Sequence, residues 1–128
     1  MLGEPFQETA LLQLDVGEFA EIGEIFTVPP GKLLVLQHVG IESRVVLPAG
    51  SNTFVKIYVF ETAGDIIDAE ASTMFTLSPS ATEFAGDDKA TLMFAGEGKS
   101  IGLELRRNRT QTTELFRATL TGFMIDAE

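Results

Sequence analysis

Val28-Pro29-Pro30-Gly31-Lys32-Leu33-Leu34-Val35-Leu36 is the stretch that decides the fold. Two consecutive prolines fix φ near about −65° and supply no N–H, so a pairing strand has to stop at them. Gly31 permits the reversal, and the unbroken apolar run from Leu33 to Leu36 starts a strand covered on both faces. Beyond it, Leu33, Val35, Val39 and Ile41 share one face with Gln37, while Leu34, Leu36, His38 and Glu42 share the other. Pro48 to Asn52 is loop composition. Val55, Ile57 and Val59 then alternate with Phe54, Lys56, Tyr58 and Phe60. The segment from Phe26 to Phe60 therefore predicts two central strands of a small β domain.

Working outward toward the N-terminus, Ile22, Phe26 and Val28 are apolar with Glu21, Gly23 and Thr27 opposite, and Glu24-Ile25 breaks the period. A bulge near Gly23 is expected. Leu12, Leu14 and Val16 alternate with Gln13 and Asp15, which predicts a first strand. Residues 1–10 show no period and read as an N-terminal arm, leaving 11–128 as a single β-sandwich domain.

Toward the C-terminus, residues 62–73 leave strand and helix open. Met74 to Leu77 reads as a short strand ended by Ser78-Pro79-Ser80, and Gly86-Asp87-Asp88-Lys89 as a turn before a strand from Ala90 to Ala95. Gly96-Glu97-Gly98-Lys99 resembles a hairpin turn. Ile101, Leu103 and Leu105 alternate cleanly with Gly102, Glu104 and Arg106, and a last strand runs through Phe116, Ala118, Leu120 and Met124. Eight or nine short strands punctuated by turn residues predict an all-β fold, an antiparallel β-sandwich with jelly-roll topology.

Composition limits the function. The 128 residues carry a formal charge of −10, which repels phosphate backbones and anionic membranes, so nucleic acid is not an expected partner. No apolar run approaches the roughly 18–20 residues of a membrane span. Cysteine is absent, which removes disulfides and thiolate chemistry. The N-terminal residues lack a basic and an apolar signal region, so no signal peptide is expected in this chain.

No catalytic set is predicted. Gly98-Lys99-Ser100-Ile101-Gly102 fits a nucleophile-elbow spacing, yet a strand rather than a helix follows, and the sole histidine, His38, precedes it. The Gly98-Lys99-Ser100 triplet lacks the upstream glycine of a phosphate loop, because Met93 stands there. One histidine cannot furnish a cupin-type metal centre. Glu83, Asp87 and Asp88, and Asp65, Asp68 and Glu70, form two acidic clusters without the spacing of a calcium-binding loop, so they read as solvated turns and no cofactor is expected. Asn108-Arg109-Thr110 matches a glycosylation acceptor.

Charge is distributed unevenly. Glu4, Glu8, Glu18, Glu21 and Glu24 lie in an N-terminal region without a single Lys or Arg, whereas Arg106, Arg107 and Arg109 crowd one turn. Complementary patches of this kind register one subunit against another. Phe54 and Tyr58 on one strand face supply an alternative, an aromatic platform for carbohydrate or another ligand, with calcium as its possible helper.

The Val28–Leu36 turn and strand resembles a pattern in small bacterial β-sandwich proteins of unassigned function. Thr121-Gly122-Phe123-Met124-Ile125-Asp126 is similar to their Ser-Gly-Tyr-Leu-Val-Asp-like last strand. The resemblance implies the fold and brings no catalytic residues. The sequence thus points to a non-catalytic structural or interaction module. It is expected to self-assemble as a homo-oligomer, or to decorate a larger assembly of another protein at an extracellular or virion surface.

Overall fold

Alternating apolar positions and turn residues resolve the described residues into eight strands: β1 (Glu4–Leu14), β2 (Ala20–Thr27), β3 (Lys32–Ser43), β4 (Thr53–Glu61), β5 (Ala71–Leu77), β6 (Gly86–Ala95), β7 (Lys99–Arg107) and β8 (Glu114–Asp126). The structure, a computed structural model, describes residues 3–61 and 71–127. Most of the stretch that left strand and helix open, residues 62–70, lies outside them. The strands form two antiparallel four-stranded sheets, ordered β1-β8-β3-β6 and β2-β7-β4-β5. Each sheet interleaves strands distant in sequence, which makes this sandwich a jelly roll. β3 and β4 occupy interior positions, as the sequence predicts for these two, while β2, which enters the Pro29-Pro30 turn, is an edge strand.

The inward faces meet in one core. Leu34, Leu36, Val39 and Ile41 of β3 pack with Phe116, Ala118 and Leu120 of β8 on one side. Val55, Ile57 and Val59 of β4 and Ile101, Leu103 and Leu105 of β7 close it from the other.

Three expectations need correction. The alternation in β3 does not run unbroken. A bulge between Leu36 and His38 in both of its pairings shifts the phase by one residue. Leu34 and Leu36 therefore share the core with Val39 and Ile41, while Leu33 and Val35 face outward with His38. Glycine is required beside this bulge, because a Cβ on Gly122 would overlap the Val35 carbonyl oxygen. The expected N-terminal arm is instead part of β1, paired with β8 from Glu4↔Met124 to Leu14↔Glu114. Glu8, half-buried on the inward phase, interrupts the apolar period that would have revealed it. Gly86 to Lys89 is the start of β6 rather than a turn, because an edge strand tolerates charges on both faces. The bulge in β2 lies between Glu24 and Phe26, two residues past Gly23.

The connections gather at the two ends. At one end the 15–19, 44–52, 78–85 and 108–113 loops bind one another. Gly17 N–H donates to Thr110 O, Gly50 N–H to Pro79 O, and Asn108 N–H to Asn52 O, at 2.9, 2.9 and 3.3 Å. At the other end the Pro-Pro-Gly turn meets the 96–98 turn, where Val28 N–H donates to Lys99 O and Gly98 N–H to Val28 O.

Candidate functional site

The basic turn divides on folding. Arg106 points out of β7 and binds its own strand neighbour, with Nη2 2.8 Å from Glu104 Oε2. Arg107 falls on the inward phase of β7, behind Ile101, Leu103 and Leu105, and its side chain is fully enclosed. Its guanidinium donates to three carbonyl oxygens, those of Glu18, Thr112 and Asp15, at 2.8, 2.7 and 2.8 Å. Arg109 turns inward as well. Its Nε and Nη2 grip Glu114 Oε2 and Oε1 at 2.8 and 2.6 Å, and further bonds reach Asn52 O and Thr53 Oγ1. Arg107 Nη1 also lies 3.3 Å from Glu114 Oε1.

Two of the three arginines expected at an interaction surface are therefore internal. A buried guanidinium persists only where acceptors surround it, and the converging loops supply them. Glu114 is the residue that sequence reasoning missed. Its signal was present: an acid on the core phase of the last strand, in register with Phe116 and Ala118, five residues after Arg109.

The acidic residues divide between two strands. β1 and β2 are neighbouring edges of the two sheets, held together where Phe6 meets Phe26 edge-on at 4.8 Å between ring centres. Glu4 and Glu8 belong to β1 and Glu21 and Glu24 to β2, with Glu18 just before β2. Glu18 Oε1 accepts from Asp15 N–H at 2.8 Å. Glu24 Oε1 accepts from Ser100 Oγ at 3.0 Å and from Thr27 Oγ1. Ser100 is thus a buried strand hydroxyl bound to Glu24, and His38 lies on the outer face of the opposite sheet, out of reach for proton transfer.

The aromatic platform is not formed. Phe54 and Tyr58 both point out of the second sheet, but Phe54 is 45% exposed and Tyr58 only 2%. The Tyr58 ring lies over Gly102, where an added Cβ would come within 2.6 Å of Cζ, and it tilts against Phe60. Burial, and then the nearby Glu104 charge, push the Tyr58 hydroxyl above its ordinary pKa. Phe54 alone is left to line a shallow groove of about 310 Å³ with Lys56, Met74, Glu104 and Arg106.

A trough of about 490 Å³ opens on the outer face of the first sheet, over Gly40 and Gly86. Arg117 binds Glu42 there, and His38 Nε2 stands 3.7 Å from Asp88 Oδ1. Among the described residues no three of His, Cys, Asp or Glu gather as metal ligands. The second acidic cluster, Asp65, Asp68 and Glu70, lies outside those residues.

No protein-family model matches the chain, and no curated protein matches it. Solved structures do. A chain in the capsid structure of the Helicobacter pylori bacteriophage KHP30 superposes with a TM-score of 0.53 and 16% identity, over 100% of this chain and 96% of that one. The TNF protein Eiger of S. frugiperda matches over 100% and 96% at a TM-score of 0.52 and 9% identity. A chain of the cyanophage Pam1 capsid matches over 96% and 86% at 0.50 and 12% identity. At these identities the likeness is one of fold: this chain is a jelly roll of the architecture found in viral capsid subunits.

Proposed function

We propose that the chain is a non-catalytic structural module that works as one subunit of a larger assembly at a virion surface. The observation that supports this most is the coverage. The whole chain matches 96% of a chain in a bacteriophage capsid structure. The surface agrees with the reading, because large apolar residues such as Leu92, Phe94 and Phe123 are left exposed on it. Sedimentation equilibrium of the purified chain tests it. The expected result is a mass above that of one chain, rising with concentration, and a strict monomer throughout would refute it.

A further inference from the structure

One outer face carries an apolar row that crosses a whole sheet. Pro5 of β1 lies opposite Phe123 of β8, Phe123 opposite Val35 of β3, and Val35 opposite Phe94 of β6. All four point outward, since the alternate positions Phe6, Met124, Leu34, Leu36, Met93 and Ala95 belong to the core. The bulge after Leu36 is what puts Val35 on this side. The Leu33–Ile125 pair forms a second level beside the row, and Leu92 extends it on β6. Phe94 is 53% and Leu92 64% exposed. With their partly exposed neighbours they make a patch on the order of 400 Å², the size of the largest apolar patch on a typical monomer, which is often a functional one.

We infer that this face is a self-association surface on which a second copy lays its own row. Charge selects the occupant. Two molecules of net charge −10 repel wherever acids meet, and no charged residue interrupts this row. One position beyond its end, on the alternate phase of the strands, Lys32 and Asp126 neutralise each other at 2.6 Å, with Glu4 near Lys32. A sheet face repeated on a second copy meets itself under a two-fold axis, sheet against sheet at about 10 Å. A standard interface buries about 800 Å² per partner as an apolar core within a polar rim. The row supplies about half of that, and Gln7, Thr9 and Thr121 border it as rim. Edge-to-edge pairing, the other route open to β proteins, is guarded on three of the four edges, by Pro5 and Glu8 on β1, by Glu21, Glu24 and a bulge on β2, and by Asp87 and Asp88 on β6, whereas β5 carries neither a charge nor a proline.

This inference rests on the assembly reading, and one experiment separates the two. Sedimentation equilibrium is run on the wild type, Phe94→Glu, Phe94→Lys and Leu92→Lys, with Phe54→Glu on the other sheet as control and thermal melts to confirm folding. Both target residues are exposed on an edge strand, so the variants are expected to fold. Each should weaken association at least about tenfold, and the control should not. An equimolar mixture of Phe94→Glu and Phe94→Lys should regain it, because the row would then face its opposite charge. If the wild type associates and the Phe94 and Leu92 variants associate equally well, the face is wrongly assigned while the assembly reading stands. If the variants are folded monomers that fail to rescue one another, the row docks on a different surface or a different protein, and self-docking is overturned. A wild type that remains monomeric removes the assembly reading itself.

Discussion

Replacing Glu114 by alanine tests the internal charge cluster most directly. The carboxylate takes two hydrogen bonds from Arg109 and lies within 3.3 Å of Arg107, in a setting where Glu114 is 1% exposed. Its removal leaves two buried guanidinium groups with no counter-ion. Stranding one partner of a buried pair costs about 3–5 kcal/mol. Arg107 retains three carbonyl acceptors and Arg109 retains Asn52 O and Thr53 Oγ1, so the lower end of that range applies, about 3 kcal/mol. At roughly 3–4 °C per kcal/mol for a domain of this size, the midpoint of thermal unfolding should fall by about 10 °C. Urea titration should show the same loss as a lower midpoint at unchanged slope. The double variant Arg109→Leu/Glu114→Leu should lose less than Glu114→Ala alone, since it strands only Arg107, which has its own acceptors. Arg106→Ala serves as the surface comparison and should cost less than about 1 kcal/mol. A Glu114→Ala protein melting within about 2 °C of wild type would show that the cluster does not hold the loops, and the argument would fail.

Other consequences follow from the glycines and from the single tyrosine. Gly122→Ala should be among the most destabilising small substitutions, because the added Cβ meets backbone rather than a movable side chain; unchanged melting would mean the bulge relaxes freely. Gly102→Ala should cost about 1–3 kcal/mol by driving the Tyr58 ring off its seat, visible as a rise in tyrosine exposure. Tyr58 is the sole tyrosine, so absorbance titration of phenolate reports it alone, and its pKa should lie above the ordinary value in the folded protein. A raised pKa means the folded state holds this proton more tightly than the unfolded chain does. The associated stability is complete below about pH 10 and declines as pH rises through the folded pKa. A titration at the ordinary value would contradict the burial of the ring.

The sequence was most legible where alternation was strict. Residues 53–60 and 101–105 carry the period of two without interruption, and both strands fold with their apolar face inward as read. Legibility failed where the backbone itself departs from that period. A bulge cannot be seen in Leu36-Gln37-His38, because nothing in those three side chains distinguishes a slipped register from a regular one until the partner strands impose it. The N-terminal strand was hidden for a different reason. Its inward phase includes Glu8, which the edge of the sheet tolerates but a pattern search does not. The candidate site was read least well because charge in sequence carries no direction. Arg106 and Arg107 are adjacent, yet in a strand adjacency sends one to solvent and the other to the interior. The alternation of Ile101, Leu103 and Leu105 already assigned position 107 to the interior, and the partner at Glu114 could have been sought from there.

The strand order has a consequence for when the molecule acquires its shape. β8 lies between β1 and β3, and β7 between β2 and β4, so each sheet receives one of its middle members from the last third of the chain. While residues 1–98 alone have left the ribosome, the only ladders available among the described residues are β4 with β5 and β3 with β6. β1 and β2 have no partner at all. Folding of this topology is therefore a late, whole-chain event and slow by the standard of small domains, on the millisecond-to-second scale of non-local β pairing. Until then the outward row residues Val35 and Phe94 and the core residues beside them are exposed together. The interval before β8 docks is thus the period in which the nascent chain most needs protection from premature contact with its own kind.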